Sequence, residues 1–345
     1  MKACARCGRA DGTALMKFGG AAACPRCWTA WQRRAARLGP AVAVLVMALA
    51  STVVGLGLVA GIFLGAFVVV PVVGVAVRLA SLRALGWRPV TVVFGAGPVL
   101  FRRGAEPALL LRRRLTRTYL EYVPRGAVSA RAHRAVLALP CLLPFAVAVA
   151  ALLLGAGGFA YGVAAVAALR FGWQVVRPQR PRALTADDAA GMHAAVDAGV
   201  RARRGDLTGA LAVAEAAAER LPSSIPVIEV RANLLTDTGD AALGAAVSRE
   251  AWRDDTAEPY DRALVAAAFT WAVARGGLDD LAAEAWEAVR FALGAQPLTE
   301  AAQTAFAAML DRAGLAADAD LVVGVVGKYG REPRWTARAE ALLRA

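Results

Sequence analysis

Two stretches without a single charge constrain this chain more than anything else in it. Residues 41–77 run for 37 positions, and residues 135–169 for 35, with no Asp, Glu, Lys or Arg. A spanning helix needs about 20 mostly apolar residues. One continuous helix of either length would reach roughly 55 Å, against a hydrocarbon core of about 30 Å. Each run therefore divides more naturally into two helices, turning in the Gly55–Gly65 region and at "GAGG" (155–158). The expectation is a mainly α, polytopic helical membrane protein of about four spans, at 41–59, 62–81, 135–154 and 157–175. A single tilted helix plus an interfacial piece per run is the alternative.

Charge divides the chain as sharply as hydropathy does. Residues 1–182 carry 24 basic and 3 acidic side chains, and residues 183–345 carry 16 and 24. That asymmetry places a boundary near "RPQRPRALTADD" (177–188). Three parts follow: a basic N-terminal segment (1–39), a membrane domain (40–180) with a basic, hairpin-like loop at 84–134, and an acidic domain (183–345).

Orientation is read from arginines, because basic loops stay on the cytoplasmic side. The segment 78–134 holds twelve Arg against Glu106 and Glu121. Arg33, Arg34 and Arg37 precede the first run, and Arg177, Arg180 and Arg182 follow the second. Four spans put all three hydrophilic parts, and both termini, in the cytoplasm. Trp28, Trp31, Trp87 and Trp173 fall near the expected interfaces, where indoles are favoured. The residues before the first run do not read as a cleavable leader. The Ala-, Arg- and Val-rich usage suggests a high-GC bacterial genome, hence a bacterial plasma membrane and lipids as partners.

Four of the five cysteines form "CARC" (4–7) and "CPRC" (24–27), a C-x2-C-x16-C-x2-C array. Cys4, Cys7, Cys24 and Cys27 can supply four thiolates to one tetrahedral zinc ion. A closed four-Cys site has no open position, so one structural zinc in a small ribbon is expected. Reduced thiols favour metal over disulfides. Arg6, Arg9, Lys17 and Arg26 flank the knuckles; they read as solvated or as facing lipid headgroups, and nucleic acid is not expected as a partner. Cys141 lies inside the third expected span and reads as a small packing residue.

After residue 183 the chain becomes alanine-rich with apolar positions at helical spacing. Turn signals recur at Gly205 ("RRGDLTGA"), Gly239 ("DTGDAALG"), Gly277 ("RGGLDDLA") and Gly314 ("RAGLAADA"), separated by 34, 38 and 37 residues. A glycine that ends one helix, followed by a residue that caps the next, fits a helix–turn–helix unit. Residues 190–256 resemble tetratricopeptide repeats, with Gly205, Ala210 and Pro222 at that family's small and proline positions. The later units differ in length and lack most of its aromatic positions. The resemblance implies an α-solenoid that binds a protein or peptide through 183–345; a plain helical bundle is the alternative. His193, the only histidine of this half, reads as a surface or capping residue.

Intramembrane catalysis lacks its usual parts. No acidic residue lies between Asp11 and Glu106 or between Glu121 and Asp187, and His133 and His193 are sixty residues apart. Yet "RALGWRPVTVVFGAGPVLFRR" (83–103) and "TYLEYVPRGAVSARAHRAVLALPCLLPFAVAVAALLL" (118–154) are similar to the core of the site-2 (M50) proteases. The resemblance covers residues 74 to about 153 and implies a β-hairpin close to the membrane core. It puts Gly74, Val75 and Arg78 where that family has its first histidine, glutamate and second histidine. The segment expected to hold its aspartate ligand, 157–176, has no acid. Without those ligands a zinc-bound hydroxide cannot form, so the resemblance implies a pseudo-enzyme. The functional expectation is a non-catalytic, membrane-anchored scaffold or adaptor. An M50-like peptidase with unrecognised residues, or a small transporter-like protein, is the alternative.

Overall fold

The computed structural model describes residues 3–10, 16–18, 21–34, 55–103, 108–153, 157–176, 183–295, 300–330 and 333–342. Two compact units are present: Met1–Arg34 together with Ala190–Ala345, and Ala35–Ala189.

The first unit joins the two ends of the sequence. Strands β1 (Met16–Phe18) and β2 (Ala21–Ala23) pair antiparallel, with Met16 opposite Ala23. Helix α1 (25–34) follows directly. From residue 190 onward the unit is helical: α6 (Ala186–Arg203), α7 (Leu207–Arg220), α8 (Ile225–Asp237), α9 (Ala241–Arg253), α10 (Pro259–Gly276), α11 (Ala282–Ala295), α12 (Glu300–Arg312), α13 (Ala316–Tyr329) and α14 (Pro333–Leu342).

These helices form four hairpins closed by one repeated device. Gly205, Gly239, Gly277 and Gly314 all take positive φ, at 86°, 101°, 63° and 74°. Glycine reaches this region without a Cβ penalty. One residue further on, the N–H of Asp206, Asp240, Leu278 and Leu315 donates to the carbonyl five residues back, on Arg201, Leu235, Val273 and Leu310. That bond satisfies a carbonyl the ending helix would orphan. In the first two hairpins Asp206 and Asp240 then cap the next helix, accepting from the N–H of Gly209 and Leu243. Helix α10 packs against α8, α9, α11 and α12, and α12 against α10, α11, α13 and α14. Accordingly Val265–Val273 and Ala301–Leu310 are buried without interruption.

The second unit holds α2 (Leu56–Leu64), a π-helical turn (Gly65–Val69), α3 (Val70–Ala84), strands β3 (Arg88–Arg103) and β4 (Ala108–Val123), α4 (Ala130–Leu153) and α5 (Gly158–Val176). Helices α2 and α5 meet through glycine. A Cβ at Gly61 would stand 2.1 Å from the Phe159 carbonyl oxygen, and one at Gly162 would stand 2.4 Å from that of Leu58. Both strands are bent enough that Thr91–Phe94 pair with Thr118–Glu121 on one edge and with Ala108–Leu111 on the other. Val90–Val93 are buried in succession, the pattern of a strand covered on both faces rather than one. Strands β3 and β4 both lie within residues 84–134.

The membrane architecture is corrected here. No helix among the described residues is long and apolar enough to cross a membrane. The expectation of four spans, the membrane and transmembrane descriptors, and the integral plasma-membrane localisation with both termini cytoplasmic all fall with that finding. Most of the first expected span (41–54) lies outside the described residues. The second is divided among the last three residues of α2, the π turn and the part of α3 that carries Arg78. The third coincides with α4, which opens on Arg131, His133 and Arg134 and contains Pro140 and Pro144. The fourth coincides with α5, which carries Arg170. Two of the tryptophans read as interfacial anchors are core residues: Trp28 is 2% exposed and Trp87 is 7% exposed. Trp31 is exposed.

Candidate metal centre

Two tight turns bring the cysteines together. In the first, the N–H of Gly8 donates to the Cys4 carbonyl at 2.9 Å, and Gly8 has φ of +72°. In the second, the N–H of Trp28 donates to the Cys24 carbonyl at 3.0 Å as the chain enters α1. The turns are tied to each other by the Ala5 N–H, which donates to the Ala22 carbonyl at 2.9 Å. Cys4 and Cys24 are buried, Cys27 is half-buried and Cys7 is exposed.

The four sulfur atoms all lie within 4.8 Å of one another. Cys7 Sγ and Cys24 Sγ are 3.7 Å apart. A tetrahedral ion with ligands at about 2.3 Å requires sulfur–sulfur edges of about 3.8 Å, so the cluster has the size of such a site. A disulfide needs about 2.05 Å, and none of the four cysteines is in one. The four residues singled out in the sequence are therefore close enough to hold a metal ion.

Electrostatics explain why four thiols at this spacing call for a cation. Burial works against ionising Cys4, but backbone N–H groups of Cys24, Arg6 and Cys7 outweigh it and bring that thiol down to about 6. Burial, then the neighbouring thiols of Cys7, Cys24 and Cys4, push Cys27 up to about 12. Cys24 is raised as well, by burial first. One thiolate forms readily here, and each further negative charge is opposed by its neighbours. A divalent cation removes that opposition.

What the cysteine spacing did not indicate is how the ribbon is held. Asp318, on α13 and 2% exposed, accepts from Arg9 Nη1 at 2.6 Å and from Arg26 Nε at 3.1 Å. Arg9 follows the first knuckle and Arg26 lies inside the second, so one carboxylate fastens both. Met16, Ala23 and Trp28 belong to the same core cluster as Phe306, Val322 and Val323 of α12 and α13. Arg9 and Arg26 are thus ion-pair partners of Asp318, with Arg26 also largely exposed to solvent. No local sequence signal joins them to Asp318, 309 and 292 residues away.

The remaining residues considered in the sequence are distributed as follows. His133, on α4, meets Tyr122 Oη through Nε2 at 3.1 Å, beside the stacked ring of Trp87. Arg78, on α3, lies near enough to Tyr122 to lower its pKa, against burial, which raises it and prevails. His193 is half-buried on α6. The side chains of Lys17 and Cys141 lie outside the described residues. No family model, no curated protein and no solved structure matches this chain.

Proposed function

We propose that the chain is a non-catalytic scaffold in which a structural zinc ribbon is stapled to a helical-repeat domain that binds protein. The observation that carries this reading is the closed four-thiol cluster, clamped through Arg9 and Arg26 to Asp318 of α13. Four protein ligands converging on one point leave no position for a substrate or an activated water. A metal there fixes a loop and, through that loop, the last hairpins of the repeats.

The four glycine-closed hairpins support the repeat reading, since stacked units of this length bury a shared core and present extended faces to partners. The resemblance of residues 74–153 to site-2 proteases lends no chemistry to this reading. Arg78, standing where that family has its second histidine, is a permanent cation and cannot serve as a metal ligand.

Metal content per chain tests the reading, measured for wild type beside the Cys4→Ser/Cys24→Ser variant. One zinc per chain, lost in the variant, is the expected result. A metal that survives the double substitution would place ligands elsewhere and reopen the hydrolase alternative. No zinc in the wild type would remove the ribbon from the proposal.

A further inference from the structure

Helix α14 follows the last hairpin, packs against α12 and α13, and touches helices from the other hairpins as well. Arg338 Nη2 reaches Asp237 Oδ2 of α8 at 2.5 Å, and Arg334 Nη1 lies 3.8 Å from Glu229 Oε2 on the same helix. The Trp335 indole, fully buried, meets Trp271 of α10 edge-on at 6.1 Å. The Trp335 carbonyl accepts from Thr304 Oγ1 of α12 at 3.4 Å. On α6, the open side of Gly199 faces Arg334. Thus α14 is held by the first helix of each of the four hairpins.

Its residues divide by face. Trp335, Thr336 and Ala339 are buried and Arg334 and Arg338 half-buried, whereas Ala337, Glu340 and Ala341 are exposed. This is an amphipathic helix seated by one indole and steered by two cations, one toward the buried Glu229 and one onto the exposed Asp237, one of the recurring ways a helical surface takes a helical ligand.

Two features mark the seat as imperfectly filled. The indole N–H groups of Trp271 and Trp335 are buried with no acceptor among the described residues, and Asn233 Oδ1, beside Glu229, is buried with no donor. Buried polar groups are normally paired. At ten residues, α14 is also too short to be a stable helix by itself.

We infer that α14 is a built-in occupant of the protein-binding face, which in trans takes a short amphipathic helix bearing an indole flanked by arginines. The occupant is displaced by a partner of its own chemistry. This rests on the reading of the repeats as a protein-binding domain; metal content tests the ribbon, and the titration below tests the face.

The experiment is a fluorescence titration of a labelled synthetic peptide of residues 331–345 against the full chain. Wild type should bind it weakly, because α14 holds the site. Arg334→Glu/Arg338→Glu, which loosens the resident helix, should bind it at least tenfold more tightly, and a peptide with Trp335→Ala should lose that gain. The charge swap guards against a misfolded variant: Asp237→Arg should reject the wild-type peptide and accept one carrying Arg338→Asp. The inference is overturned if a loosened variant of native circular dichroism binds no better than wild type. Equal, tight binding by wild type overturns it too. So does a wild-type dimer that the peptide dissolves, which would make the occupant the α14 of a second copy.

Discussion

At the scale of single residues, a few carboxylates join segments of the first unit that are far apart in sequence. Asp318 is the sharpest case, because one side chain receives two arginines from both knuckles. Replacing it by Asn keeps the volume and removes the charge. Breaking a fully buried pair costs about 3–5 kcal/mol. Here Arg9 and Arg26 are 26% and 65% exposed, so about 1–3 kcal/mol is expected after solvent screening. Urea unfolding of Asp318→Asn followed by circular dichroism measures it, and zinc should leave the variant faster when challenged with a chelator. Glu284 gives the pH counterpart. Burial resists its ionisation, but Arg249 and Arg253, at 2.6 and 2.7 Å, overcome that and lower its pKa. A carboxylate lowered on folding stabilises above its unfolded pKa of about 4.3 and loses that contribution as pH falls through the folded value. Glu284→Gln should therefore be less stable than wild type at neutral pH. The gap should close in acid; a gap that persists undiminished at low pH would assign the effect to packing.

Elements in this protein are decided by local backbone chemistry, and the hairpin turns show it most directly. A Cβ at Gly205, Gly239, Gly277 or Gly314 would meet nothing within 4 Å, so an alanine there is opposed by φ alone. Placing an L-residue in that region costs roughly 1–2 kcal/mol. Each Gly→Ala variant should lose about that much in urea unfolding, and Gly→Asn should lose less. A larger loss would mean contacts the turn geometry does not contain. Removing a cap, with Asp206→Ala or Asp240→Ala, should cost about 1 kcal/mol by the same assay. These turns were legible in the sequence for the reason that makes them testable: the requirement for positive φ lies in the residue itself. The closeness of the four cysteines was legible in their spacing, since each knuckle holds its two thiols three residues apart. Residues 41–77 and 135–169 were misread because hydropathy counts side chains and not helix continuity. The π turn at Gly65–Val69 and the prolines of α4 interrupt what composition presents as uniform, and Arg78 and Arg170 stand directly after the two runs within α3 and α5. Trp28 and Trp87 followed the same error, since an indole fits a core as well as an interface.

At the scale of the whole molecule, the first unit is closed by contacts between the extremes of the chain. Residues before 35 and after 189 form one body, with Met16 and Trp28 inside the helical core cluster. No periodicity could have announced this, because burial against a segment nearly 300 residues away leaves no repeat in either one. For the zinc site proposed here, the closure would make metal binding and helical stability a single quantity. A ligand that binds only the folded form stabilises it by mass action, and structural zinc sites contribute folding free energy outright. In an isolated ribbon that free energy would stay local. Here the ribbon's side chains and the Asp318 pairs transmit it to α12 and α13. Removing zinc with a chelator at neutral pH should therefore lower the melting midpoint of the helical signal, which comes almost entirely from residues outside the ribbon. The same treatment of Asp318→Asn should lower it less, because the clamp that couples the two is already gone. A helical transition indifferent to chelation, in a protein shown to have lost its zinc, would reduce the ribbon to an appendage. An equal loss in wild type and variant would instead route the coupling through Met16 and Trp28 rather than through the carboxylate.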